Sequence, residues 1–271
     1  MANPFSYQHK RVVVTGGSSG LGAALVRLLA DLGAASITVL DRQEPVEPIP
    51  ADRLVKVDLS DPADIDRVAA ELSGSVDVLF NNAGVAANFA PATVIAVNCL
   101  APRRLARALL PGMKRGSVIV NTASMAGNGY RDNLAFIDEL LSIEDWAKTL
   151  AWLEDHELPG DAYTFSKQVA QVITLRESGE AAKHGVRLNA ACPGIIETPL
   201  LVDFRATMTD KVVDWQLSQV GGRPATPEEI ANVLAFLGSD ASSYMNGTNL
   251  IADNGFQAAM DTGRLDFSGL A

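Results

Sequence analysis

Residues 12–22, Val-Val-Val-Thr-Gly-Gly-Ser-Ser-Gly-Leu-Gly, set a β-branched run directly ahead of a glycine-rich turn, and an Ala/Leu-rich stretch follows to Gly33. β-Branched residues fit a pleated strand. Glycine tolerates the backbone of a sharp turn. Gly33 stands where a helix commonly ends. A strand that runs through a tight turn into a helix is the first half of a βαβ unit, and it requires a parallel partner strand. The rest of the chain repeats the alternation. Strand candidates are Val12–Thr15, Ile37–Leu40, Leu54–Val57, Val76–Phe80, Ser117–Thr122, Val186–Ala191 and Thr248–Ala252, with helices expected near 20–32, 62–72, 92–110, 161–184 and 227–238. The strands read as continuous apolar runs, as in strands buried on both faces. The expectation is an α/β fold: a parallel sheet of about seven strands with helices on both faces.

No internal repeat or long linker divides the 271 residues, so a single domain over 1–271 is expected. A net charge of −10 without a basic patch argues against nucleic-acid binding. Cys99 and Cys192 lie in apolar surroundings and read as free buried thiols. Three His and two Cys form no cluster, so no metal site is expected. Residues 1–10 lack the apolar core of a signal peptide, and no run approaches membrane-span length. A soluble, cytoplasmic protein without a membrane partner is expected. Gly238 reads as a second helix-ending glycine, and the tail after Met260 as loosely held.

The chemistry-bearing residues stand at strand ends. The turn Gly16-Gly17-Ser18-Ser19-Gly20-Leu21-Gly22 lets a pyrophosphate approach the backbone at a helix N-terminus, where free N–H groups and the helix dipole favour anions. Asp41 ends the second strand, 19 residues past Gly22. A carboxylate there can accept from both adenosine ribose hydroxyls and repels a 2′-phosphate, which favours NAD over NADP. Arg42 is the counter-signal, since it could pair with that phosphate. Asp58, after strand three, could accept from an adenine amino group, or be a solvated residue or a helix cap ahead of Pro62. Asn81-Asn82-Ala83-Gly84 ends strand four with small residues where open α/β sheets bind ligands.

Tyr163 and Lys167 are four residues apart in a helical stretch and so share a face. The ammonium is expected to lower the phenol pKa towards neutrality, suiting Tyr163 to exchange a proton with an alcohol or carbonyl.

Taken together, Thr15-Gly-x3-Gly20-x-Gly22, Asn81-Asn-Ala-Gly84, Asn98, Ser124, Tyr163-x3-Lys167, Pro193-Gly194 and Thr198 resemble the short-chain dehydrogenase/reductase family of the small, single-domain type. The match spans Arg11 to about Asp253. It implies a Rossmann-type doubly wound sheet and an NAD-dependent oxidoreductase acting on a secondary alcohol or ketone. In that family Tyr163 would be the proton donor and acceptor, and Lys167 would tune it and hold the nicotinamide ribose. Ser124 would donate to the substrate oxygen, and Asn98 would hold a water linking Lys167 to solvent. Pro193 and Gly194 would pass beside the nicotinamide, and Thr198 would bind its carboxamide or the diphosphate. Leu59 and Ile196 join the implied cofactor contacts.

Two departures stand out. Ser124 and Tyr163 are 39 residues apart, which leaves an extra helical segment over about 128–160, and Gly84 to Asn98 is a short 14. Both resemble the bacterial 3α-hydroxysteroid dehydrogenase/carbonyl reductase subgroup and so imply an apolar or steroid-like substrate. A small non-steroid carbonyl compound, or a non-catalytic NAD sensor on the same fold, is the alternative. The insertion's apolar residues, among them Leu134, Ile137, Leu141, Trp146, Leu150 and Leu153, suit either a hairpin packed on its own subunit or a wall of the substrate site or subunit contact. A capping box at Ser142 is expected to start its second helix. The apolar stretch Leu200–Val220 follows strand six, where a loop would overhang the strands' carboxyl ends, and reads as a mobile lid over an apolar substrate. In much of the family the helices corresponding to 92–110 and 161–184 pair between subunits. An insertion beside the second should obstruct that contact, so a homodimer built from the C-terminal part is expected, with the family homotetramer as the alternative.

Overall fold

The computed structural model describes residues 3–270. Seven strands form one parallel sheet: β1 (Arg11–Thr15), β2 (Ser36–Asp41), β3 (Arg53–Lys56), β4 (Val78–Asn81), β5 (Val118–Thr122), β6 (Arg187–Pro193) and β7 (Asn249–Ala252). Their order across the sheet is β3-β2-β1-β4-β5-β6-β7. β1 is the pivot, with Val12 in register with Ile37 of β2 on one side and Val78 of β4 on the other. The winding direction reverses between β1 and β4. At that switch point the helices leave in opposite directions and open a crevice at the strands' carboxyl ends. At the opposite end, Arg11 clamps Asp77 through both carboxylate oxygens (2.8 and 3.0 Å), tying β1 to the start of β4.

The helices cover both faces. α1 (Gly20–Asp31) and α10 (Pro227–Gly238) share one face, where Leu25, Leu29, Leu234 and Leu237 pack on Val12, Val14 and Phe80. α2 (Pro62–Leu72), α3 (Pro91–Ile95), α4 (Ala101–Leu109) and α7 (Ala162–Lys183) cover the other. Local signals set the starts. Asp61 caps α2 ahead of Pro62, and Thr226 with Glu229 forms a capping box on α10.

The expected helix over 92–110 is broken into three. Pro102 lacks the N–H that would return to the Asn98 carbonyl, and the ladder widens to a π-turn over Ala96–Leu100 between α3 and α4. The insertion is a 3₁₀ stretch (Met125–Asn133) followed by α5 (Leu134–Ser142) and α6 (Trp146–Asp155). It packs on its own chain: Ile137 and Leu140 bury against Phe165, Val169 and Ile173 of α7. The cap of α6 is Asp145, which accepts from the Lys148 N–H at 2.8 Å; the Ser142 hydroxyl instead donates to Glu139, so the expected capping box is absent.

Three further expectations change. Leu200–Val220 is not a loop but two helices, α8 (Pro199–Met208) and α9 (Asp210–Ser218), joined at Thr209, whose φ of +71° is strained for a β-branched residue. The tail after Met260 is held, since Trp215 of α9 stacks on Phe267 and donates to the Asp266 carbonyl (2.6 Å); between them α11 (Phe256–Asp261) places Phe256 edge-on to the same indole. Gly238 does not end a helix by a left-handed turn. A side chain there would strike the Tyr7 hydroxyl at 2.4 Å and the Phe80 ring at 2.6 Å, so glycine serves close packing. Gly33, at φ +83°, is the helix-ending glycine expected.

Candidate active site

The crevice at the β1/β4 switch is a cleft of about 360 Å³. Gly16, at φ +66°, brings the first turn so near β4 that a side chain would meet Ala83 Cα at 2.8 Å, and Gly20 (φ +50°) lies against Thr198. Three segments thus converge: the glycine turn, Asn82–Gly84 and the stretch after β6. The Thr15 hydroxyl joins the first two, accepting from the Asn82 N–H (2.9 Å) and the Ala83 N–H (3.0 Å). α1 opens at Ser19, whose side chain makes no capping bond, and its first turn holds no acidic residue. Nothing there opposes a phosphate at the helix N-terminus. At the far end Asp41 is held by the Ser18 N–H (3.0 Å) and by the Gln43 N–H (3.2 Å) and faces the cleft. Arg42 lines it too, its guanidinium 5.8 Å from the Phe89 ring centroid. The glycine cradle, the uncapped helix end and the acidic acceptor together fit a dinucleotide.

At the inner end stand Ser124, Tyr163 and Lys167. Asp161 caps α7 by accepting from the Thr164 N–H (2.9 Å), which sets where the helix begins and so which way Tyr163 points. Ser124 leaves β5 and caps the 3₁₀ stretch, its Oγ accepting from the Ala126 N–H at 3.2 Å. Lys167 is buried, donates to the Thr122 carbonyl at 3.0 Å and lies 5.5 Å from the Tyr163 ring centroid. The expected depression of the Tyr163 pKa is reversed. Burial pushes it up to about 12, against a smaller pull from the Ser124 hydroxyl, while burial pushes Lys167 down to about 8. Helical spacing brings the two groups together, but the loss of water around each sets the direction of its shift. Tyr163 therefore keeps its phenol proton at pH 7.

Most expected cofactor residues line the cleft: Gly16, Ser19, Gly20, Leu21, Gly22, Asp41, Arg42, Leu59, Asn82, Ala83, Gly84, Pro193, Gly194, Ile196 and Thr198. Four expected site residues do not. Ser18 is turned into the protein, its hydroxyl donating to the Gln43 carbonyl (2.9 Å). Asp58 is exposed and closes a turn by accepting from Ser60 N–H and Oγ (2.8 and 2.7 Å), while the helix cap ahead of Pro62 is Asp61. Asn81 is buried within the sheet, donating to Asn121 Oδ1 at 3.0 Å. Asn98 stands behind the cleft, where its amide grips both backbone groups of Val85 (2.9 and 3.0 Å) and donates to Ser166 Oγ (3.0 Å). The structure also adds residues. Val57, Val85, Val97 and Gln43 line the cleft, as do Leu200, Asp203 and Phe204 of α8. The Phe204 ring meets Tyr163 edge-on at 4.7 Å, and Asn88 bonds Asp203 at 3.0 Å, so α8 spans the opening. The apolar content of 200–220 was the only sequence signal for this wall. Both cysteines are free and buried, and burial pushes the Cys192 thiol up to about 12, as inert thiols. Among the described residues no helix is long and apolar enough to cross a membrane.

Comparison with known proteins agrees with this geometry. A family model described as short chain dehydrogenase matches residues 10–135, and one described as enoyl-(acyl carrier protein) reductase matches residues 154–257. Coniferyl-alcohol dehydrogenase from Pseudomonas sp. (strain HR199 / DSM 7063) is 33% identical over 249 residues, 91% of this chain and 96% of its own. Among solved structures, the 3-alpha-hydroxysteroid dehydrogenase from Pseudomonas sp. B-0831 complexed with NADH superposes with a TM-score of 0.78 at 30% identity, over 93% of this chain and 98% of its own. A putative NAD(P)-dependent gluconate 5-dehydrogenase from Beutenbergia cavernae with bound NADP gives 0.73 at 29%, over 94% and 100%. A doubly wound sheet, a dinucleotide cleft at its switch point and Ser124, Tyr163 and Lys167 at the inner end place this chain in the short-chain dehydrogenase/reductase family of oxidoreductases, which act on alcohols and ketones.

Proposed function

We propose that the protein transfers a hydride between NAD(H) and a secondary alcohol or ketone, working as one domain over the whole chain. The observation that carries this reading is the convergence of Ser124, Tyr163 and Lys167 at the inner end of the nucleotide cleft. The bound nicotinamide supplies the hydride chemistry. The chain supplies the rest. Tyr163, neutral at pH 7, gives its proton to the carbonyl oxygen as that oxygen gains charge. Ser124 donates to the same oxygen; because its Oγ already accepts from Ala126, its O–H is left to point outwards. Lys167 holds the nicotinamide ribose. Asn98 braces the Asn82–Gly84 segment through Val85, beside its role of holding a water that links Lys167 to solvent. An apolar substrate fits the wall of Val85, Leu200 and Phe204 beside Tyr163. Turnover assays on hydroxysteroids, alicyclic and short-chain secondary alcohols test the activity; no turnover of any would favour the sensor reading.

NAD is favoured over NADP because Asp41, held by two backbone N–H groups, faces the cleft where the adenosine ribose would lie, while Arg42 rests near Phe89. Asp41→Ala should raise KM for NAD about tenfold, through loss of charge-assisted hydrogen bonds, and narrow the gap to NADP. A wild type that uses NADP as well as NAD would overturn the assignment.

A homodimer is favoured by where the insertion lies. Arg103 and Arg107 of α4 pair with Glu177 of α7 and with Glu144 between α5 and α6 of the insertion, and Arg176 of α7 pairs with Asp138 of α5. The outer faces of α4 and α7 are thus engaged within the chain. β7 ends the sheet and leaves Ile251 exposed beside α10. Light scattering should give twice the 28.6 kDa chain mass. A stable tetramer would count against the obstruction.

A further inference from the structure

Tyr163, Lys167 and Gln171 follow one another at steps of four on α7 and share a face of the helix. The first two reach the cleft. Gln171 lies one turn deeper and is only 1% exposed. Its Nε2 donates to the carbonyl of Ser124 at 2.9 Å and to Asn128 Oδ1 at 2.8 Å. A backbone carbonyl can only accept, so the amide must present its nitrogen there. The same Ser124 carbonyl accepts from the Gly127 N–H at 3.0 Å. The turn sits directly on α7, since a side chain on Gly127 would strike the Lys167 carbonyl at 2.4 Å and Gln171 Nε2 at 2.8 Å. Asn128 passes the linkage on, its Nδ2 donating to Gln257 Oε1 of α11 at 2.7 Å, and the Gln257 N–H is fixed by Asp253 at 2.7 Å.

We propose that Gln171 is a positioning residue for the reaction: its buried amide holds the backbone of Ser124, and thereby the direction of the Ser124 hydroxyl, and through Asn128 and Gln257 it ties that turn to the segment after β7. A hydroxyl rotates freely about its Cβ–Oγ bond, so its aim depends on a fixed backbone and on the Ala126 N–H that engages its oxygen. Gln171 fixes the first of these from the helix that also carries Tyr163 and Lys167. Proton donor and oxygen-binding hydroxyl therefore share one rigid support. This inference rests on the role given to Ser124 under the proposed function.

The test is a double-mutant cycle on the full-length enzyme. Gln171→Met keeps the side-chain length and removes both donors. It should lower kcat about tenfold to a hundredfold, the scale of a misaimed catalytic group, with NADH binding by fluorescence titration unchanged. In Ser124→Ala the hydroxyl is gone, so adding Gln171→Met should lower kcat no further. If the two losses multiply, Gln171 has only a structural role and the proposal is overturned. A large loss in Ser124→Ala beside full kcat in Gln171→Met also overturns it, leaving the Ser124 assignment intact. Full kcat in Ser124→Ala overturns that assignment, and this proposal with it. If Gln171→Met fails to fold, Asn128→Ala removes the next link, and the same cycle with Ser124→Ala should show a smaller loss that again does not multiply.

Discussion

Tyr163→Phe is expected to lower kcat on the order of 10³-fold, the contribution of a well-placed general acid, while fold and NADH affinity survive. The substitution keeps the ring and its edge contact with Phe204 at 4.7 Å. It removes only the hydroxyl, whose neighbour is Ser124. No buried partner loses an essential bond, because Lys167 is satisfied by the Thr122 carbonyl and stands 5.5 Å from the ring centroid. The loss should therefore fall on kcat rather than on the cofactor's Kd. Single-turnover reduction of a ketone with pre-bound NADH measures it. Substantial turnover by pure Tyr163→Phe protein would remove the phenol from the proton-transfer role.

Gly22→Ala should be the most damaging single methyl in the molecule. A Cβ there would lie 2.0 Å from the Gly16 carbonyl oxygen and 2.7 Å from Asn82 Nδ2. That amide donates to the Thr15 and Gly16 carbonyls at 3.3 Å, so the methyl would separate the glycine turn from the end of β4. The obstacle is backbone, which cannot swing aside as a flexible side chain can. We expect a loss of about 3 kcal/mol, at the upper end of overpacking costs, and a fall in Tm of roughly 6–12 °C. NADH should no longer raise the Tm, because the surface that faces the pyrophosphate is displaced. Gly179→Ala, in α7 with open space around it, should do the opposite and stabilise by about 0.5–1 kcal/mol. Differential scanning calorimetry with and without NADH separates the two. A Gly22→Ala protein with unchanged Tm and NADH response would show that the turn is not packed as described.

The sheet was readable because its strands are short apolar runs between glycine turns, a pattern that local chemistry alone enforces. The seven expected strands fall within two residues of those observed at each end. The cleft lining at strand ends was legible for the same reason, since in an open α/β sheet the position at a carboxyl end already says where a side chain emerges. What escaped depends on contacts distant in sequence. Gly238 differs from Gly33 only because Tyr7 and Phe80 press on it. Asp58 and Asp61 both stand ahead of Pro62, and only the backbone path of the turn makes Asp61 the cap while Asp58 accepts from Ser60. The helices α8 and α9 leave no helical periodicity in the sequence because their apolar residues serve a cleft wall and a tail contact rather than one continuous core stripe. Spacing revealed that Tyr163 and Lys167 are neighbours but not how much water surrounds them, and burial sets the direction of both pKa shifts.

Hydride transfer itself can be followed with a secondary alcohol that carries deuterium on its carbinol carbon. Incubated with NAD⁺ and the wild-type protein, the alcohol should become the ketone, and the deuterium should appear on the nicotinamide ring of the reduced cofactor, with none released to water. Tyr163→Phe should suppress both products together. Ketone formation with the deuterium lost to solvent, or an unlabelled cofactor after ketone has formed, would contradict direct transfer in the cleft between the glycine turn and Tyr163.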